Sequence, residues 1–150
     1  MKIKVTDISK LRAETGAAIM ACKKALQEAK GDFTKAKQIL KKEGLNLAAK
    51  KADRKTEAGI IESYVHLAGR VGVLVKLVCE TDFVARTEDF KKLAHEVCLQ
   101  VASMNPKDVE SLLAQEYIRE PGKIIGDLIK ETVAKVGENI RIDDFKRLEI

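Results

Sequence analysis

The sequence predicts an α+β fold: a front third built from helices, then a core in which helices pack against a small sheet. Three observations carry this. Over residues 1–50, apolar residues recur at helical spacing between glycines. From residue 59 to 79 the pattern switches to alternation, the period of a strand. A helical stripe then returns over residues 90–102, and the chain closes on a second alternating run through Ile140 and Ile142.

The elements follow in order. Thr6 or Asp7 can cap a first helix, Ile8 and Leu11 give it an apolar side, and Gly16 ends it. A second helix runs through AAIMACKKALQEAK, with Ala18, Cys22, Ala25, Leu26 and Ala29 on one face. Gly31 ends it and Asp32 can cap a third, in which Phe33, Ala36, Ile39 and Leu40 face inward and Gly44 is the stop. Three short helices with tight stops resemble a bundle of the ubiquitin-associated type, here residues 1–50. Such a bundle has a small core and is marginal alone. The polar, basic stretch 51–57 reads as a linker.

Residues 58–150 form the predicted core. GIIESYVHL (59–67) reads as a strand, and LAGR, with Gly69, as the turn of a hairpin. In the next run Val71, Val73, Val75, Leu77 and Cys79 share a face, while Leu74 and Val78 add apolar surface to the other. A strand apolar on both faces is usually covered twice; in so short a chain a partner subunit could supply one cover. Phe90, Leu93, Ala94, Val97, Cys98, Val101 and Ala102 then make an i, i+3, i+4, i+7 stripe, which Asn105-Pro106 stops. A shorter helix is expected to carry Val109, Leu112, Leu113 and Tyr117. Another begins near Pro121, buries Ile125, Leu128, Ile129 and Val133 or Val136, and ends at Gly137. The closing strand alternates through Ile140 and Ile142 and slips phase at Asp143-Asp144, which a bulge would explain. It can join the hairpin.

The 150 residues are 45% hydrophobic and 34% charged, an ordinary balance for a globular chain. No apolar run is long enough to span a bilayer and no secretory core is seen, so a cytoplasmic protein is expected. Cys22, Cys79 and Cys98 are odd in number, lack a CxxC pair and each fall within an apolar pattern. Buried thiols are expected, not a disulfide framework or zinc site. The net charge of +5 is uneven: residues 1–57 carry +8 and residues 58–150 carry −3. A basic front half suits an acidic protein surface or nucleic acid; the alternative is a solvated, lysine-rich helix surface.

No phosphate loop, dinucleotide turn, nucleophile elbow or HExxH metal motif occurs. His95-Glu96 reads as an ordinary helix pair, and Glu88-Asp89 as favourable charge at a helix start. No enzyme, metal or cofactor is expected. One segment resists a bland account. Thr81-Asp82-Phe83-Val84 leaves a strand and enters a helix within a few residues. Thr81 or Asp82 can cap that helix, but capping does not require the Phe. On spacing alone Phe83 reads as folded onto the core; the alternative is a stiff turn holding an acidic and an aromatic side chain towards a partner.

TDFVAR after VGVLVKLVCE resembles a signature of the elongation factor Ts family. LRAETGAAIMACKKAL resembles the family's other signature, and GENIRIDDF its closing strand. The three blocks occur in the family's order and span nearly the whole chain. The resemblance implies a ubiquitin-associated-like module, a linker, and an α+β core with a three-stranded antiparallel sheet. It further implies guanine-nucleotide exchange on the translation GTPase elongation factor Tu. Arg12, Ile19 and Met20 match positions that contact Tu, although packing inside the bundle would also account for the last two. Asp82 and Phe83, flanked by Thr81 and Val84, match the pair inserted near Tu's magnesium and phosphate site.

There are departures. Only residues 105–120 lie where many members carry a long helical hairpin. Gln100 stands where many have a His that makes a second insertion contact. Larger members contain two core halves, and material for one points here to a homodimer. The main rival is a basic RNA-binding accessory protein of the translation apparatus. Against it, no patterned aromatic pair sits on a strand to stack bases.

Overall fold

The computed structural model describes residues 2–150. Among them, seven helices and one three-stranded sheet follow in the order α1 (Val5–Thr15), α2 (Ile19–Glu28), α3 (Phe33–Lys51), β1 (Ala58–His66), β2 (Val71–Cys79), α4 (Asp82–Ala85), α5 (Glu88–Met104), α6 (Val109–Ala114), α7 (Ile125–Val136) and β3 (Ile140–Glu149).

Helix α1 starts earlier than its sequence signals suggest. Lys4 is the capping residue and makes no side-chain cap bond, while Asp7 lies in the first turn, where its negative charge is favoured by the positive end of the helix dipole. Gly16 stops α1 in the left-handed region, with φ 68°. Asp32 caps α3 by accepting from the Lys35 amide at 3.0 Å.

Gly44 does not end α3, contrary to the sequence reading. The helix runs through it for 19 residues, about 28 Å at the α-helical rise. The reason is tertiary: a Cβ at Gly44 would sit 3.1 Å from that of Ala134 on α7, so the glycine lets two helices approach. The first half of α3 gives Ala36 and Leu40 to a small cluster with Leu11, Cys22, Ala25, Leu26 and Ala29. Its last turns give Ala48 to the cluster under the sheet. Lys51 Nζ donates to the Gly137 carbonyl beyond α7.

The sheet order is β1-β2-β3, antiparallel throughout. Val71, Val73, Val75, Leu77 and Cys79 are all buried on its inner face, against the stripe of α5. Lys76 pairs with Asp144 and Leu77 with Ile142, so Asp143 is the extra residue of the expected bulge. Among the described residues the outer face is mostly open. Val78 is buried there, but Ile61, Val65, Leu74 and Leu148 are exposed.

Two further expectations are corrected. Tyr117 is buried but lies beyond α6, and Pro121 does not open α7. Gly122 follows at φ 90°, outside helical space, and its amide donates to Glu116 at 2.7 Å. Tyr117 N donates to the Lys123 carbonyl at 2.7 Å, so residues 115–124 form a closed loop before α7. No helix among the described residues is long and apolar enough to cross a membrane. All three cysteines are buried and free.

Candidate functional site

The turn after β2 is built by two threonine caps. Thr81 is extended, at φ −131° and ψ 154°, and its hydroxyl oxygen accepts from the Val84 amide at 3.4 Å, opening the four-residue α4. Thr87 repeats the arrangement for α5, accepting from Phe90 N at 3.4 Å. Between the caps, Val84 and Ala85 are buried and anchor α4 to the core. Helical geometry then leaves no inward direction for the residue before them. Phe83 is 82% exposed, so the core reading suggested by spacing alone is overturned. Asp82 is exposed beside it, in the first turn of α4.

The turn is tied to the start of β3. Glu138 accepts from Thr81 twice, from the amide at 2.9 Å and from the hydroxyl at 2.7 Å. Glu80 accepts from the Asn139 amide at 2.8 Å. Asn139 is itself buried and donates from Nδ2 to the carbonyls of Ala52 and Arg54, at 3.1 and 2.9 Å. The Cys79 thiol donates to the Thr81 carbonyl at 3.2 Å. Burial, and secondarily the Glu138 charge, push that thiol's pKa up and hold it protonated.

The remaining sequence-predicted residues form a separate patch. Ile19 and Met20 open α2, ahead of its buried Cys22, Ala25 and Leu26, and are 53% and 71% exposed. Packing inside the bundle is thereby excluded for both. With Val5, Ile8 and Arg12 they line a groove of about 660 Å³. The structure thus joins Arg12, Ile19 and Met20 in one place, and Thr81, Asp82, Phe83 and Val84 in another.

Gln100 points inward. It is fully buried, donates to Gln115 Oε1 and the Glu116 carbonyl at 3.2 and 3.1 Å, and accepts from Ile118 N at 3.2 Å. Its role is to hold the loop 115–118, which removes it from any surface contact. Glu96, read from sequence as one of an ordinary pair, is also buried. It accepts from the Tyr117 hydroxyl at 2.6 Å and pairs with Arg119 at 3.2 Å. Burial, then the Glu96 hydrogen bond, push the Tyr117 phenol well above its ordinary range. Sequence reasoning missed Glu80, Glu138 and Asn139 as parts of the turn's support. The only signal for the last two was their place in the GENIRIDDF block.

Known proteins resemble the chain over nearly its whole length. The family model described as "Elongation factor TS" matches residues 80–150. The elongation factor Ts of Thermotoga sp. (strain RQ2) is 43% identical over all of this chain and 97% of its own length. That of Petrotoga mobilis (strain DSM 10674 / SJ95) is 42% identical over all of this chain and 99% of its own. That of Thermoanaerobacter sp. (strain X514) is 40% identical over 98% and 94%. The Thermotoga alignment spans 193 positions against 150 residues here, a difference of 43 that only the relative fills. The chain belongs to the elongation factor Ts family of translation elongation factors.

Proposed function

We propose that this chain is a guanine-nucleotide exchange factor for elongation factor Tu, with Asp82 and Phe83 as its trigger. The observation that carries the reading is Phe83, an aromatic ring 82% exposed on a turn whose next two residues are buried. Leaving such a ring in water forgoes about 1.5–3 kcal/mol of apolar burial, which insertion into a partner recovers. Single exposed apolar residues are common; presentation on a doubly capped, pinned turn is what distinguishes this one.

Exchange needs no covalent step, and the proposed activity requires no cofactor. GDP and the factor each weaken the other's hold on Tu, and linkage makes the effect reciprocal. Magnesium neutralises phosphate charge in Tu's site. A wedge that shifts the helices or the phosphate-binding peptide around it loosens GDP without replacing those contacts. GTP then enters because it is available. Thr81 and Val84 hold the wedge, one as cap and the other as buried anchor.

Residues 1–50 serve in this reading as the docking module, with Arg12, Ile19 and Met20 against Tu's GTPase domain. Residues 51–57 are the linker and residues 58–150 the exchange core. The core pairs with a second copy through the outer sheet face, where Ile61, Val65, Leu74 and Leu148 lie open. The place of action is the cytoplasm, and nucleic acid is not required.

The test is stopped-flow release of a fluorescent GDP analogue from Tu. Phe83→Ala and Asp82→Ala are expected to melt near wild type and to release GDP more slowly even at saturating factor. Full activity in both refutes the wedge. Met20→Ala combined with Arg12→Ala should instead raise the half-saturating concentration and spare the maximal rate. For the dimer, sedimentation equilibrium should give twice the 16.6 kDa chain mass, and Leu74→Glu should give the monomer. A wild-type monomer at micromolar concentration rejects the pairing.

A further inference from the structure

We infer that Glu138 is a positioning residue for exchange, acting through Thr81 to fix the direction in which Phe83 projects. The inference rests on the exchange reading for its effect on rate, but its structural half stands alone. The Thr81 cap by itself is weak: its bond to Val84 N is 3.4 Å, at the long end for N–H···O. The two bonds from Thr81 to Glu138, at 2.9 and 2.7 Å, are shorter and charge-assisted. Their direction matters. The hydroxyl proton goes to the carboxylate, which leaves the hydroxyl oxygen free to accept from Val84 N. One carboxylate therefore fixes the Thr81 backbone and the rotor of the cap together.

Glu138 is also held where it stands. Gly137 before it is in the left-handed region at φ 77° and its amide closes on Val133 O. Asn139 after it is pinned by Glu80, Ala52 and Arg54. A carboxylate delivered from a backbone fixed on both sides transmits that fixity to the turn two residues before Phe83. Held groups of this kind are what keep a functional side chain within its productive geometry.

The chain contains no tryptophan, so Phe83→Trp supplies a single reporter at the wedge. Time-resolved anisotropy of that variant, without Tu, is compared with and without Glu138→Ala. Glu138→Ala should increase the fast depolarising amplitude, with melting and dimer mass nearly unchanged. Glu138→Gln should restore the slow decay only in part, because its one amide oxygen can accept from the Thr81 amide while its NH2 cannot take the hydroxyl proton. Unchanged anisotropy in Glu138→Ala overturns the inference, whatever happens with Tu.

The second arm is GDP release from Tu at saturating factor. Glu138→Ala should lower the maximal rate roughly tenfold, as loss of charge-assisted bonds predicts, and Glu138→Gln, which keeps one uncharged acceptor, should recover only part of it. In a Phe83→Ala background, Glu138→Ala should lower the rate no further. An additional loss there means Glu138 does not act through Phe83, and the inference fails. A wild-type protein that leaves GDP release unchanged defeats the exchange reading instead, while the anisotropy arm still decides positioning.

Discussion

The helical front of the molecule and the sheet-bearing core bury apolar surface in different ways. The front cluster has seven buried residues, three of them alanines. The core cluster has twenty-one, including Phe90, Tyr117 and most of the buried branched aliphatics. Stability follows buried apolar area, so the front cluster, the smaller of the two, gains more from its attachment than the core does. That attachment is α3, whose second half packs along α7 through Gly44 and Ala134. The proposed docking patch at Ile19 and Met20 sits on the thinner unit, and the Phe83 turn on the better-packed one. A contact that mainly gathers a partner tolerates such a platform better than one that must push.

The sharpest way to break this comparison is within the core, at two phenylalanines seven residues apart. Phe90 is fully buried and Phe83 is 82% exposed. Phe90→Ala is expected to cost about 3–5 kcal/mol in urea unfolding, and Phe83→Ala less than about 0.5 kcal/mol. Equal losses would mean the turn is part of the core. A smaller effect is expected at the joint. Gly44→Leu forces a side chain into a crossing with no room for it and should cost about 1–3 kcal/mol. Hydrogen exchange should show the loss in α1 and α2 before the sheet. Uniform loosening would show that the two clusters unfold as one.

The smallest effect is on the alkaline limb. Burial, and then the Glu62 charge, push the Cys98 thiol from 9.0 up to about 12. The unfolded thiol therefore ionises at a pH where the folded one stays protonated. Stability is retained below pH 9 and falls as the pH rises from there towards 12. Cys98→Ala should flatten that fall relative to wild type. An unaltered pH profile would show that the thiol does not contribute to it.

Much of the fold was legible because it depended on local period. The inner face of β2 and the stripe of α5 are patterns of two and of 3.6 residues. The left-handed stops at Gly16 and Gly137 and the bulge at Asp143 also left local marks. Gly44 was misread because a glycine that stops a helix and one that admits a neighbouring helix look alike in one dimension. Pro121 was misread because its effect depended on Gly122 and on the Glu116 carboxylate six residues back. Among the candidate site residues, Ile19 and Met20 lay beside the apolar stripe, so exposure was open to them. Phe83 had no such signal.

By itself the sequence determined the α+β class, the order of elements, the buried thiols and the family, through periodicity, local caps and three co-linear blocks. Tertiary structure alone decided that α3 spans both clusters, that Gln100 turns inward, and that Glu138 grips Thr81 from 57 residues away. The physical reason is one of range. A helical stripe or a cap is settled within a few residues. A helix crossing, a buried amide and a carboxylate clamp depend on which distant groups the folded chain brings within about 3 Å of one another.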